Sequence, residues 1–429
     1  MKPRHALVSA APATAFAALL AATVVAVFLS HWSLLDGAPR NSLELMLQGH
    51  AHRPFAYRWL MPLIVRITET LLPASLHALL ADQIAPFFQA HFVQPLTAAY
   101  EARLPGVTTR AAQAWQASGY RASYVLMVAL VWLSFTGALL FMAGIARAMG
   151  CSRAQALGVM LAYALVYPGS FLHAAYFYDF GEQLLAAAMI FFALRRHWPG
   201  FALALVLMQC NRETAVLMPL LLAPLLWQAR ASLRLPRNLL PMAAAWCTAI
   251  AVLLTTRMHF AQLPGDSAEF SLAANLAFWR ESANWLATSD IYVPGLPVPR
   301  LGFAAFVALA LAFAWRRGAS AIAVSATACT ALMLLLLLGL GFRDEFRAVG
   351  LCLPFVLAAA CASMGAASKP KNTAGRRRQA ATVRPDLSQY DLRKSGSGKT
   401  FALWACSLCI PVCVSPTQPS IVQSPTEPL

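Results

Sequence analysis

Two carboxylates follow the first long apolar run of the sequence. Asp36 and Glu44 come just after the run 13–31, which is long enough to cross a membrane. A general base must reach the proton that it removes, and a carboxylate at the edge of a bilayer can meet both a lipid-linked substrate and a soluble one. Either residue is therefore a candidate catalytic base, with Glu44 preferred.

A basic and aromatic edge follows in the same segment. Arg53, Tyr57 and Arg58 stand within a few positions of one another. The planar guanidinium of arginine can bind two phosphate oxygens at once, so this edge can hold a phosphate group or simply contact a lipid headgroup. His50 and His52 have no third strong metal ligand nearby. The sequence therefore predicts no metal site at these histidines and no cofactor, and it leaves a requirement for a divalent metal open.

Charged residues also interrupt two later apolar stretches. Asp179 and Glu182 share one face at the start of a predicted helix, where a site role competes with a simple interaction with the helix dipole. Arg212 and Glu213 interrupt the run 201–227. The helix before them would rise only about 15 Å at 1.5 Å per residue, so the turn is predicted to lie below the membrane surface. Ionisable groups at such depth are costly and often functional, but a structural ion pair explains them equally well.

Three further patterns lie toward the end of the chain. Arg343 and Arg347 precede the last apolar run, either in a solvated hairpin or as part of the same site. The segment 395–400 resembles the end of a phosphate-binding loop, but Arg393 stands where the motif requires glycine. The cysteine pattern at 406–413 includes a proline and no following histidine. Only the two arginines enter the predicted site.

The composition predicts the class of fold. Apolar residues make up 59% of the chain and charged residues 12%, whereas a soluble domain carries about 25% charged residues. Lipid must therefore be the solvent for much of the surface, and helices satisfy their own backbone hydrogen bonds in lipid. We predict an all-α, polytopic transmembrane bundle. The net charge of +16 is explained by cytoplasmic loops, so no nucleic-acid partner is predicted.

The apolar runs predict about ten spans. They are 13–31, 121–145, 155–173, 181–195, 199–211, 213–228, 239–256, 300–315, 319–341 and 346–364. With ten spans, the basic groups that flank them all fall on one side, which the positive-inside rule makes the cytoplasm. Both termini then lie in the cytoplasm, and every Asp and Glu before residue 365 lies on the outer side.

Two long outer loops are expected, at 32–120 and 257–299. Arg58–Leu72 is apolar, but a crossing there would move every later basic group outside, so we predict an interfacial amphipathic helix. A second such helix is predicted around Leu76–Phe92. Residues 1–364 form the membrane domain in this interpretation. Residues 365–429 are basic and rich in Pro and Ser, which predicts a disordered cytoplasmic tail.

The motifs resemble those of a known class of membrane protein. A first-loop acid followed by Pro54-Phe55-x-Tyr57-Arg58-x-Leu60-x-Pro62 is similar to bacterial proteins of the GT-C glycosyltransferase type, as are Tyr178-Asp179, Asn211-Arg212-Glu213-Thr214 and the cluster at 343–347. The resemblance covers residues 13–364. It implies an inverting transfer of a sugar from a polyprenyl-phosphate donor at the outer, periplasmic face of the inner membrane.

The resemblance also implies roles for residues. Asp36 or Glu44 would take a proton from the acceptor hydroxyl, and Arg58, Arg212 or Arg343 would neutralise the leaving phosphate. The other substrate-binding candidates are Tyr57, Asp179, Glu182, Glu213 and Arg347. The chain lacks the adjacent acidic pair common in the best-known members. Two other functions stay open: a multi-pass transporter or flippase, and a non-catalytic component of cell-envelope polysaccharide assembly.

Overall fold

A computed structural model describes residues 3–367, apart from short gaps at 103, 171–174, 228–234, 267–269, 287, 294–295, 318–320 and 342–345. The chain divides into two compact units, Met1–Lys369 and Pro370–Leu429. The second unit, and with it nearly all of the predicted tail, lies outside the described residues.

The described part of the chain is built almost entirely from helices. The early helices are α1 (Pro3–Trp32), α2 (Leu43–Gln48), α3 (Leu60–Leu71), α4 (Ala74–Ala78), α5 (Ala85–Phe88), α6 (Gln94–Glu101), α7 (Val107–Gln116), α8 (Ser118–Ala148), α9 (Arg153–Val166) and α10 (Phe177–Arg195). The later ones are α11 (Trp198–Asn211), α12 (Met218–Trp227), α13 (Leu235–His259), α14 (Leu272–Arg280), α15 (Ala283–Leu286), α16 (Arg300–Arg316), α17 (Ala321–Leu340), α18 (Arg347–Gly350) and α19 (Leu353–Ala367). One antiparallel hairpin pairs β1 (Thr288–Val293) with β2 (Leu296–Pro299).

Five helices in the described residues are long and apolar enough to cross a bilayer. They occupy Ala11–Trp32, Ser118–Ala148, Phe177–Arg195, Leu240–His259 and Ala321–Leu340. Shorter apolar helices occupy Glu213–Leu225, Leu301–Arg316 and Leu353–Gly365, below the about 20 residues that a perpendicular span requires. The helical fold and the membrane class are thus confirmed, whereas the number of ten spans stays a prediction.

Glycines allow α8 and α10 to approach closely. A Cβ atom added at Gly137 would lie 2.7 Å from Leu184 Cδ1, and one added at Gly144 would lie 2.9 Å from Phe191 Cε2. Small residues commonly allow such close packing between membrane helices, where van der Waals contact replaces the hydrophobic effect as a driving force. This contact fixes the helix whose first turn carries the site described below.

Aromatic packing holds that first turn in place. The ring of Phe180 lies 5.1 Å from Phe28 on α1, 5.8 Å from Phe135 on α8 and 5.5 Å from Tyr167 after α9, all measured between ring centroids. All four rings are at most 1% exposed. Three helices therefore converge on the start of α10 and restrict its movement.

The segment between α1 and α8 contains α2 to α7. The predicted amphipathic helix at Arg58–Leu72 is observed as α3, which buries Leu60 and Val65 against the protein and exposes Ile64 and Ile67. From Ala74 to Glu101 the chain is helical with two π-helical stretches, longer than the predicted 76–92.

Glu69 on α3 is partly exposed and contacts two neighbouring helices. Its carboxylate accepts a hydrogen bond from Ser123 on α8 and lies 3.5 Å from His77 Nε2 on α4. A carboxylate near an apolar helix surface gains more from these partners than from partial hydration, so it turns inward. Glu69 therefore connects α3 to its two neighbours.

Candidate functional site

The described residues contain a buried concentration of charge, which we call the arginine–carboxylate cluster. Its members are Arg58, Asp179, Glu182, Arg212, Glu213 and Arg347. They come from the turn before α3, the first turns of α10, the chain just after α11 and the start of α18. All except Glu213 are less than one-tenth exposed. Buried charges of this kind require partners of opposite sign, and here three positive groups meet three negative ones.

Asp179 lies between two of the arginines. Its Oδ1 atom accepts a hydrogen bond from Arg347 Nη1 at 3.2 Å and lies 3.7 Å from Arg212 Nη1. Its Oδ2 atom accepts a hydrogen bond from the backbone N–H of Tyr176 at 2.9 Å. A carboxylate in the first turn is also favoured by the helix dipole. Asp179 therefore contacts both the backbone at the start of α10 and two arginines, and its role in a functional site stays a prediction.

Arg212 reaches α10 from the end of α11. It donates a hydrogen bond to Glu182, one turn beyond Asp179. Its own backbone is extended, with φ −162° and ψ 133°, so α11 ends at Asn211 and the chain resumes in a 3-10 turn. Asn211 donates from Nδ2 to the carbonyl oxygen of Tyr178 at 2.8 Å. The break predicted within the run 201–227 is present, and it faces the first turn of α10.

Arg58 enters the cluster from the turn before α3. Its Nη1 atom donates a hydrogen bond to Tyr178 Oη, and its guanidinium carbon lies 4.6 Å from the centre of that ring. The Nε atom lies 3.9 Å from Glu213 Oε2, a distance that permits an ion pair but exceeds a hydrogen bond. Of the three arginines, Arg58 therefore has the longest contact to a carboxylate.

Stacked tyrosines form one wall of the cluster. The rings of Tyr176 and Tyr178 lie 5.0 Å apart with 12° between their planes. The guanidinium carbon of Arg347 lies 4.2 Å from the centre of Tyr176, an arrangement that gives a cation–π interaction. Asn41 donates to Tyr176 Oη at 3.1 Å. The segment after α1 thus contacts the edge of the cluster.

Three buried polar atoms at the cluster have no hydrogen-bond partner in the described structure. They are Arg58 Nε, Glu182 Oε1 and Asn211 Oδ1. Burying a polar group without a partner costs about 1–3 kcal/mol, so such atoms are uncommon in folded proteins. The guanidinium donor is suited to a phosphate oxygen, and the two acceptors are suited to hydroxyl groups.

Asp36 lies in a separate buried site at the end of α1. Its Oδ1 atom accepts hydrogen bonds from Tyr120 Oη and, at 3.3 Å, from Trp115 Nε1, and its Oδ2 atom accepts one from Ser33 Oγ at 2.9 Å. Burial raises the pKa of Asp36, although these hydrogen bonds oppose the shift. The residue is 5% exposed. It joins the end of α1 to α7 and α8, whereas the sequence indicated an accessible base.

Glu44 is the more accessible of the two candidate bases. It is partly exposed, and Gln48 on the same helix donates a hydrogen bond to it at 3.2 Å. It lines a cavity of about 290 Å³ together with Arg110 and Gln113 of α7. The contacts of the described residues do not join Glu44 to Arg58. The short helix α2 instead directs Glu44 toward α7.

The predicted site residue Tyr57 is not a member of the cluster. Tyr57 is buried, and its ring centroid lies 6.5 Å from that of Phe260. Arg343 lies outside the described residues. Among the residues that are described, no three His, Cys, Asp or Glu side chains gather as a metal site would require. The structure therefore brings Arg58 together with Asp179, Glu182, Arg212, Glu213 and Arg347. Asp36, Glu44 and Tyr57 are not members of this cluster.

Sequence analysis did not select Tyr176, Asn211 or Asn41. Asn211 is next to Arg212, in the short polar segment that interrupts the apolar run 201–227. Its place in that segment is a signal by which the sequence could have identified it. An aromatic belt at the membrane interface explains Tyr176 equally well. Asn41 contacts a residue 135 positions away, and no local pattern reveals such a contact.

The cluster combines several properties that suit a ligand carrying both phosphate and hydroxyl groups. Arginine is able to bind phosphate oxygens in a planar, bidentate manner. Two unpaired acceptors lie in the same region, and a partly exposed carboxylate lies on the neighbouring segment. No family model, curated protein or solved structure matches this chain.

Proposed function

We propose that this chain is an integral membrane glycosyltransferase, which transfers a sugar from a polyprenyl-phosphate donor to a hydroxyl group of an acceptor. The observation that carries the proposal is the arginine–carboxylate cluster, with an unpaired donor at Arg58 and unpaired acceptors at Glu182 and Asn211. The phosphate of the donor would bind Arg58, and sugar hydroxyls would donate to the two acceptors. The isoprenoid chain would stay in the bilayer.

The proposed reaction requires one base and one group that stabilises negative charge. Glu44 accepts the proton of the acceptor hydroxyl while the oxygen of that hydroxyl bonds to the anomeric carbon of the sugar. The bond between this carbon and the phosphate oxygen breaks, and its electron pair remains on the phosphate. Arg58, held in place by Tyr178, stabilises the added charge in a water-poor site. Attack opposite the leaving phosphate inverts the anomeric carbon.

The proposal includes a topology. Five described helices are long and apolar enough to span a membrane, and three shorter ones are apolar. The proposal takes the ten apolar runs of the sequence as spans, and the positive-inside rule then places both termini in the cytoplasm. The segments 32–120 and 257–299 would then lie at the outer face of the inner membrane. A contact between them supports this placement, because the backbone N–H of Arg53 donates to the carbonyl oxygen of Pro264 at 2.8 Å.

The test uses the purified full-length protein in proteoliposomes with a panel of polyprenyl-phosphate monosaccharides, labelled in the sugar, and with hydroxylated lipids as acceptors. We expect release of polyprenyl phosphate with one of these donors. Glu44→Gln and Arg58→Ala should each lower turnover about 100-fold, the scale of a lost base or a lost charge-stabilising group. Arg66→Ala removes an exposed arginine of α3 and should leave turnover unchanged.

Absence of turnover counts against the proposal when the protein in the assay is folded. Wild-type protein that keeps its thermal transition but releases no polyprenyl phosphate from any donor would contradict the proposal. Normal turnover in Glu44→Gln would contradict the assignment of the base alone. These two outcomes separate the reaction from the residue that is proposed to perform it.

A transporter or flippase is the second candidate, and the balanced charges of the cluster favour it. Three arginines and three carboxylates form a neutral network among helices, as expected for groups that line a polar path through a membrane protein. The same proteoliposomes distinguish the two functions. Movement of the intact lipid-linked sugar between leaflets, with no cleavage of the sugar–phosphate bond, would support a flippase.

A further inference from the structure

Two cavities lie side by side at the end of α1, outside the arginine–carboxylate cluster. The first has a volume of about 170 Å³ and is lined mainly by apolar side chains. The second has a volume of about 290 Å³ and carries polar side chains. Ala38 lines both cavities. Each is far larger than the about 15 Å³ that one water molecule requires.

The apolar cavity is suited to a hydrocarbon chain. Trp32, Leu35, Leu104 and Val107 contribute to its wall, and Tyr100 stacks on Trp32 with 6.5 Å between ring centroids. The indole Nε1 atom of Trp32 is buried and has no hydrogen-bond partner in the described structure. The indole is a donor only, and it belongs to a side chain that lines the apolar cavity.

The second cavity is suited to a hydroxylated headgroup. Glu44 supplies acceptor oxygens, and the exposed amide of Gln113 supplies both a donor and an acceptor. Arg110 is fixed in position, because its Nε atom donates to the carbonyl oxygen of Gly37 at 2.9 Å and its Nη2 atom donates to that of Pro105 at 3.3 Å. This mixture of donors and acceptors matches the hydroxyl groups of a sugar.

The wall between the cavities is a rigid turn. Ser33 and Leu35 have positive φ angles of 46° and 60°, which are costly for residues with side chains, and Gly37 has φ 76°. Such conformations persist only where the surrounding structure holds them, and they concentrate at functional sites. Asp36 supplies that restraint through its hydrogen bonds to Ser33 and Tyr120. The turn therefore keeps the apolar and polar cavities in a fixed relation.

We propose that the two cavities together bind one amphipathic molecule, a lipid whose hydroxylated headgroup lies beside Glu44 and whose hydrocarbon chain lies beside Trp32 and Leu104. The assignment of this lipid as the acceptor rests on the proposed function, since Glu44 would then stand next to the hydroxyl that attacks the sugar. The binding site itself does not depend on turnover. The acceptor is thus itself lipid-anchored, with a site separate from that of the donor phosphate.

The experiment is photoaffinity labelling of the full-length protein in proteoliposomes. The probe is an alkyl glucoside with a diazirine near the middle of its chain and an alkyne for detection. We expect crosslinks to peptides that contain Trp32, Tyr100 or Leu104, and we expect excess unlabelled alkyl glucoside to remove them. Labelling confined to peptides of the α13 and α17 surfaces would overturn the proposal.

Paired variants test the two cavities separately. Leu104→Trp fills the apolar cavity and should lower labelling about tenfold, whereas Leu133→Trp, on an exposed position of α8, should not change it. Gln113→Ala should lower labelling about fivefold through loss of its hydrogen bonds, whereas Gln116→Ala, an exposed residue of the same helix, should not. Equal labelling in all four variants would contradict the site.

A second probe tests the headgroup. An alkylphosphocholine with the same diazirine chain lacks sugar hydroxyls, and we expect it to label the site at least about fivefold less than the glucoside does. Equal labelling by both probes would overturn the hydroxylated headgroup. Because labelling requires no catalysis, a positive result together with absent turnover would contradict the proposed function and leave the lipid site standing.

Discussion

Separating Arg212 from Glu182 should destabilise the protein strongly. Glu182 is fully buried and Arg212 is 7% exposed, so Glu182→Gln leaves a buried guanidinium with one charged neighbour fewer. Loss of one partner of a buried pair costs about 3–5 kcal/mol. Asp179 remains 3.7 Å from Arg212, but it is shared with Arg347 at 3.2 Å. We therefore expect a loss of about 3 kcal/mol in the free energy of unfolding.

A double-mutant cycle measures the interaction itself. Glu182→Gln, Arg212→Gln and the double variant would be unfolded by titration with sodium dodecyl sulfate in mixed micelles. Neighbours in one ion-pair network couple by about 0.5–3 kcal/mol, and removal of both charges should therefore cost clearly less than the sum of the single changes. The uncompensated charge present in each single variant is absent from the double variant.

The control is an ion pair near the surface. Arg121 Nη2 lies 2.9 Å from Asp82 Oδ1, and the Asp82 side chain is 60% exposed. Water screens such a pair, so Asp82→Asn should cost about 0.2–1 kcal/mol. If Glu182→Gln cost no more than Asp82→Asn, or if the cycle were additive, the buried ion pair would not be a stabilising part of the cluster.

Three other predictions concern the packing, the pH dependence and the topology. Gly181→Ala should destabilise the protein by about 1–3 kcal/mol, because the new Cβ would lie 3.0 Å from Met61 Sδ and 3.1 Å from Asn211 Oδ1; the same titration measures this, and an unchanged midpoint would contradict it. The pKa of Asp36 is raised above 3.8 in the folded state, so the folded protein binds this proton more tightly and stability should fall as the pH rises through the raised pKa; Asp36→Asn should remove that slope. A cysteine introduced at Glu44 should react with a membrane-impermeant maleimide from the periplasmic side.

Each of these has its own control. Gly158→Ala is matched to the first, since a Cβ at Gly158 meets nothing within 4 Å. For the second, Asp82→Asn should leave the pH slope of the wild type intact. For the third, a cysteine at Arg316 should react only after the membrane is permeabilised, and labelling of both positions from one side would refute the proposed topology.

The sequence predicted the parts of the cluster better than their arrangement. The sequence reveals Arg58, Asp179 and Arg212 because each lies among apolar residues. A charged residue in such surroundings is costly and often has a function. Which arginine meets which acid depends on the packing of α3, α10 and α11 around one point. That packing depends on the shapes of side chains that are far apart in the sequence. The pattern of polar and apolar residues along the chain does not reveal it.

Asp36 and Glu44 show the same limit more sharply. Asp36 follows the end of α1 by four residues and Glu44 by twelve, and the sequence does not show which of the two is buried. The difference arises from Trp115 and Tyr120, which surround Asp36 with donors, while Glu44 lies on a short helix whose N-cap is Ser42. Two aromatic residues, 79 and 84 positions away from Asp36, therefore determine that Asp36 is the buried acid.

The arginine–carboxylate cluster is assembled from segments that are synthesised at very different times. Arg58 emerges early, Asp179 and Arg212 follow, and Arg347 comes close to the end of the membrane domain. Until Arg347 has been synthesised, Arg212 is the one positively charged partner of Asp179 among the described residues. A chain that ends before α18 thus lacks one of the two arginines that contact Asp179 in the described structure, and we expect such a truncated chain to be less stable.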